Sequence, residues 1–105
     1  MTSSAARSCR AYWGPYAVSK AGLEALVTVY AKEVASTPLR VNLLDPGATR
    51  TAMRAKAMPG ENPQGLPPPE AIAPIIVSMA MPAYQANGEL VRAREHANYP
   101  SQYRS

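Results

Sequence analysis

Leu23, Leu26, Val27, Tyr30 and Val34 fall at i, i+3, i+4, i+7 and i+11, a stripe with a period near that of a helix. The pattern predicts a helix from Tyr16 to about Ala35. Alanines at 17, 21, 25 and 31 favour it, and Pro38 stops it after Ser36-Thr37. Leu39 to Leu44 is a short, mostly apolar run that ends at Pro46-Gly47, which predicts a buried strand. A second helix opens at Pro69-Glu70 with Ile72, Ile75, Ile76 and Met79 on one side and ends by Pro82. Pro74 is placed within about its first turn, where proline is tolerated. Asn87-Gly88 predicts a turn, and Glu89 to Ala93 a short strand.

The connecting segments carry breakers. Met1 to Ala6 reads as extended and Arg7 to Pro15 as a loop. Ala48 to Ala57 has room for one or two helical turns. Pro59-Gly60, Pro63, Gly65 and the triple proline at 67–69 then interrupt any regular element, so this stretch is the expected mobile segment. Arg94 to Ser105 reads as a loosely held polar tail. Helix, strand, loop, helix, strand is the order of an α/β fold with parallel strands.

Length and composition narrow the chemistry. The 105 residues suit one domain at most, and 47% apolar residues suit a globular chain. A single Cys and a single His exclude a disulfide framework, multi-Cys metal sites and paired-His metal motifs. No apolar run approaches the roughly 18 residues of a membrane helix, and the first ten residues lack the apolar core of a secretory signal. A soluble cytoplasmic protein without a membrane partner is expected. The net charge of +4 comes from scattered Lys and Arg, with no run of like charges, so no nucleic-acid partner is expected.

Tyr16 and Lys20 carry the chemistry. Four residues apart at a helix start, they share one face. A phenol keeps its proton to about pH 10, and a neighbouring ammonium favours the phenolate, which suits the phenol to acid–base work. Alone, such a pair is common on solvated helices. Its surroundings single it out: Ser3-Ser4-Ala5-Ala6 upstream, with Ser3 thirteen residues before Tyr16, then Tyr16-Ala17-Val18-Ser19-Lys20, Val41-Asn42, Asp45-Pro46-Gly47-Ala48-Thr49-Arg50-Thr51 and Asn87-Gly88.

In this order and spacing the chain resembles the short-chain dehydrogenase/reductase family from Met1 to about Ala93, over the second half of that family's domain. The resemblance implies a partial doubly wound Rossmann fold, with residues 52–69 as a substrate lid and 94–105 as a polar tail. It implies hydride transfer between NAD or NADP and a small carbonyl or alcohol substrate, in a homo-oligomer. Tyr16 would be the proton donor or acceptor, and Lys20 would bond the nicotinamide ribose. Ser3 would steady the substrate oxygen; Ser4 is its neighbour and the alternative, with the spacing favouring Ser3. Pro46 and Gly47 would carry the backbone past the nicotinamide, Thr49 would meet the carboxamide, and Thr51 the pyrophosphate or carboxamide. Ala6 stands where the family usually has glycine. The family's glycine-rich dinucleotide turn has no counterpart in these residues, so the 105 residues by themselves are expected to be inactive. The alternative reading is an inactive remnant or association module. Trp13 and Tyr12 are expected to pack against neighbours or to line a cleft, Cys9 to be a free thiol, and His96 to face solvent.

Overall fold

The computed structural model describes residues 1–104 and divides into two units. The first comprises Met1–Asp45 with Gln85–Val91, and the second Pro46–Tyr84 with the chain from Arg92 onward.

In the first unit, a single helical turn α1 (Ala5–Ser8) precedes the long helix α2 (Gly14–Glu33), the short strand β1 (Leu43–Asp45) and the strand β2 (Leu90–Arg92), whose last residue lies in the second unit. Gly14-Pro15 is the first step of α2 rather than the end of the loop before it, because proline's fixed φ suits the first helical positions. The region from Arg7 to Pro15 is thus only partly loop. Residues 5–8 are helical, and Cys9 (φ 50°) and Tyr12 (φ 69°) take left-handed backbone between the two helices.

The predicted apolar stripe is split: Val34 is buried and Leu23 and Val27 are half-buried, whereas Leu26 and Tyr30 are exposed. Ala17, Ala31 and Val34 are buried, whereas Leu26 is 65% exposed and Val18, Val29 and Tyr30 are also open. Ala17 and Ala31 let the helix approach its unit closely, and Val18, Leu26, Val29 and Tyr30 are left on the outer side.

β1 and β2 pair in one sheet. Gly88 N–H donates to the Val41 carbonyl at 2.8 Å and Leu43 N–H to the Glu89 carbonyl at 2.8 Å, so contacts advance in the same direction along both segments, as in a parallel pair. Thr2 N–H donates to the Leu44 carbonyl at 2.7 Å, placing the N-terminal segment beside β1. Two asparagines lock the neighbouring backbone. Asn42 donates to the Ala86 carbonyl at 2.9 Å and accepts from Glu89 N–H at 3.0 Å. Asn87 accepts from Val41 N–H at 2.8 Å and donates to the Ala31 carbonyl at 2.9 Å. These side chains satisfy backbone groups that lie outside the three ladder residues of β1, which is why the strand is shorter than the apolar run predicts.

The second unit contains α3 (Ala52–Ala57) and α4 (Pro69–Ala80), with one-turn 3₁₀ segments at Pro63–Gly65, Ala93–Glu95 and Ser101–Tyr103. Ile72 and Ile75 of α4 are buried, Ile75 completely. Pro74 lies inside α4, a turn beyond its start, and not in the first turn. Residues 94–104 of the expected polar tail are not simply loose: Tyr99 is 5% exposed, and Arg104 donates to the His96 carbonyl at 2.6 Å. One aromatic ring supplies the burial that the polar composition conceals.

Candidate active site

α2 sets the spacing of Tyr16 and Lys20. Its first turn holds Tyr16, with Ala17 N–H donating to the Trp13 carbonyl at 2.8 Å. One turn on, the Lys20 ammonium lies 5.6 Å from the centre of the Tyr16 ring. A cation over an aromatic face is attracted by the ring's negative quadrupole. Trp13 packs edge-on against the same ring at 5.8 Å with an interplanar angle of 82°, and the Arg10 guanidinium stands 6.0 Å from the Trp13 ring. The Tyr16 ring is therefore held between an indole and an ammonium, half-buried. Its hydroxyl meets no hydrogen-bond partner among the described residues.

Lys20 also donates to the Met1 carbonyl at 3.3 Å, which brings the N-terminal segment to the same helix face. Ser3 follows two residues later. Its hydroxyl oxygen accepts from Ala5 N–H at 3.2 Å, leaving the hydroxyl proton available to another acceptor. Ser4 is more exposed and sits at the start of α1 without a side-chain capping bond.

A charged network, not evident in the sequence, surrounds this segment. Arg7 donates to Glu24 of α2 and, at 2.9 Å, to Asp45 at the end of β1. Thr2 donates its hydroxyl to the same Glu24 oxygen at 2.5 Å. One sequence signal was present: Glu24 lies four residues after Lys20, between Ala17 and Ala31 on the buried side of α2.

The remaining candidate residues lie in the second unit. Gly47 has φ +73°, a left-handed backbone that suits glycine after Pro46. Thr49 donates its hydroxyl to the Gly47 carbonyl at 3.2 Å. Thr51 accepts from Arg54 N–H at 3.1 Å and caps α3. The proline-rich stretch that follows is cross-braced. Arg50 donates to the Pro63 carbonyl at 3.0 Å and the Leu66 carbonyl at 3.1 Å, and its own N–H donates to the Pro67 carbonyl at 2.8 Å. Arg54 forms a two-pronged ion pair with Glu61 at 2.8 and 2.9 Å. These bonds hold the Glu61 carboxyl below its ordinary range and raise Arg54 above its own. A cleft of about 140 Å³ lies among Arg50, Arg54, Met58, Glu61 and Leu66. The two units are built separately around their candidate residues: Ser3, Tyr16 and Lys20 in one, Pro46, Gly47, Thr49 and Thr51 in the other.

Among the described residues, no group of three or more His, Cys, Asp or Glu could hold a metal ion, and no helix is long and apolar enough to cross a membrane. Cys9 is exposed and unpaired.

A family model described as enoyl-(acyl carrier protein) reductase matches residues 1–85. The uncharacterized oxidoreductase YciK of Escherichia coli K12 is 50% identical over 74 residues, covering 70% of this chain and 29% of YciK. The crystal structure of a short-chain dehydrogenase from Salmonella enterica serovar Typhi matches with a TM-score of 0.81 at 41% identity, over 87% of this chain and 38% of that one. A short-chain dehydrogenase from Escherichia coli CFT073, solved in complex with NADPH, matches with a TM-score of 0.80 at 42% identity, over 87% of this chain and 38% of that one. The chain belongs to the short-chain dehydrogenase/reductase family, and its α/β fold is part of that family's doubly wound Rossmann domain. It spans under half the length of these relatives.

Proposed function

We propose that residues 1–93 form the proton-handling half of an NAD(P)-dependent oxidoreductase acting on a small carbonyl or alcohol substrate. The observation that carries this reading is the Tyr16–Lys20 pair: a half-buried phenol with its oxygen unpartnered and an ammonium against its ring. The relative solved with NADPH supports the choice of cofactor class.

The donor set suits a nicotinamide nucleotide. Lys20 has three N–H donors and commits one to Met1, leaving two for a ribose diol. Gly47 turns the backbone after Pro46 without a side chain on that turn. Thr49 would meet the carboxamide through its backbone, and Thr51 still has a hydroxyl proton to donate to carboxamide or pyrophosphate while it caps α3. The cofactor, when bound, supplies the hydride.

Tyr16 gives its phenol proton to the substrate oxygen as charge develops there and takes one back in the reverse direction. Lys20 stabilises the phenolate left behind. Ser3 donates its hydroxyl to the same oxygen and disperses its charge. The segment 52–69 has the role of a substrate lid in this reading, with Met53 and Met58 as adaptable apolar contacts.

A second reading, an association module, has one observation in its favour: the open apolar side of α2 at Val18, Leu26, Val29 and Tyr30. Titration of the purified protein with NADPH and NADH, followed by nicotinamide fluorescence, separates the two. Saturable binding supports the oxidoreductase. No binding, together with self-association, supports the module.

A further inference from the structure

Ser3 lies on a stretch pinned at both ends. One residue before it, Thr2 is 3% exposed, with its backbone on Leu44 at 2.7 Å and its hydroxyl on Glu24 at 2.5 Å. Four residues after it, Arg7 bridges Glu24 and Asp45. Three elements thus meet on one guanidinium: α1 supplies Arg7, α2 supplies Glu24 and the end of β1 supplies Asp45, which is only 7% exposed.

The bridge has a strong physical basis. Two carboxylates in one place repel each other, and a buried one is costly without a partner. A guanidinium answers both at once because its N–H groups fan out in a fixed plane, so each of two nitrogens takes one carboxylate. A lysine ammonium in the same place has the charge without that fan. With Arg7 seated, the chain from Thr2 to Arg7 has its ends held to α2 and β1. With it removed, the Glu24 and Asp45 charges lose their shared cation, and the downstream end of the Ser3 segment keeps the packing of α1 against α2, with Ala5 buried, but loses its polar tether to Glu24 and Asp45.

We infer that Arg7 is a positioning residue: by bridging Glu24 and Asp45 it fixes the Thr2–Arg7 segment and so sets where the Ser3 hydroxyl stands. This rests on the oxidoreductase reading for its catalytic meaning, but the clamp itself is a physical claim that stands apart from it.

The test uses Arg7→Met and Arg7→Lys in the purified protein, with Asp45→Asn as a shape-preserving alternative should Arg7→Met fail to fold. Hydrogen exchange is read by peptide on the chain alone, and carbonyl-dependent NADPH oxidation and NADPH affinity on the chain complemented by a dinucleotide-binding half that carries the glycine-rich turn. The clamp predicts exchange in residues 2–8 faster by about tenfold or more in Arg7→Met, smaller in Arg7→Lys, with α4 unchanged. The catalytic consequence is a kcat lowered by about tenfold or more with NADPH affinity kept within about twofold, and partly restored in Arg7→Lys. Unchanged exchange in residues 2–8 overturns the clamp. Faster exchange with unchanged kcat overturns the positioning role. If the complemented wild-type chain oxidises no NADPH, the oxidoreductase reading falls and the positioning role with it, while the exchange data still decide the clamp.

Discussion

The Lys20 ammonium faces the Tyr16 ring at 5.6 Å and bonds the Met1 carbonyl at 3.3 Å with the same nitrogen. One side chain therefore joins the proposed proton donor to the segment that carries Ser3. Helix geometry sets the first contact, since residues four apart stack on one face. The second depends on the N-terminal chain lying along β1, where Thr2 pairs with Leu44.

Lys20→Met keeps the length of the stem and removes the charge. The ring contact, the Met1 bond and the two donors proposed for the ribose all go. NADPH affinity is expected to fall by about tenfold or more, in line with the loss of a charge-assisted hydrogen bond. Fluorescence titration checks it. Stability should fall by only about 0.5–1 kcal/mol, because the lysine is partly solvated.

Ile75 has no exposed surface. Ile75→Ala removes buried methyl groups and leaves a cavity, so unfolding free energy from urea titration is expected to drop by about 2–5 kcal/mol. The neighbouring Val77→Ala, at a position 60% exposed, should cost less than about 0.5 kcal/mol.

Gly88→Ala tests the turn that joins the sheet to α2. Gly88 has φ +76°, and a Cβ there would meet the Ala31 Cβ at 3.4 Å. Backbone strain is expected to destabilise the protein by about 1 kcal/mol or more, read from thermal or urea unfolding.

The Arg54–Glu61 pair predicts a pH dependence. Arg54 holds the Glu61 carboxyl below its ordinary range in the folded chain. A folded-state value lower than the unfolded one means that the stabilisation is present above the ordinary carboxylate range and is lost as pH falls through the depressed folded value. Hydrogen exchange across residues 54–66 should therefore speed up on acidification, relative to α4. Glu61→Gln should show the faster exchange already at neutral pH and lose most of that pH dependence.

Much of the fold was readable from local pattern. The apolar period of α2 and α4 and the turns at Gly47 and Gly88 all follow from neighbours in sequence. What was not readable depends on distant partners. A helical period shows which side chains share a face, but not which face meets the rest of the chain. In α2 Ala17 and Ala31 went inward and Leu26 stayed out. Burial of Tyr99 turned a polar tail into a packed segment.

The site divides along the same line. Tyr16 and Lys20 are one turn apart, so sequence spacing alone puts them together. Arg7 reaches Glu24 across 17 residues and Asp45 across 38, and no local rule signals either pairing. Arg54 and Glu61 meet only because the Pro59-Gly60 turn folds the chain back after α3.

The central claim is that the Tyr16 phenol delivers the proton. Tyr16→Phe keeps the ring between Trp13 and Lys20 and removes only the hydroxyl oxygen, so it isolates that atom. The decisive measurement is carbonyl-dependent NADPH oxidation by the wild-type and Tyr16→Phe chains side by side, each complemented by a dinucleotide-binding half that carries the glycine-rich turn. A rate lower by about 10²–10⁴-fold in Tyr16→Phe, with NADPH affinity preserved, is the predicted result. A Tyr16→Phe protein that turns over within a few-fold of wild type would contradict it.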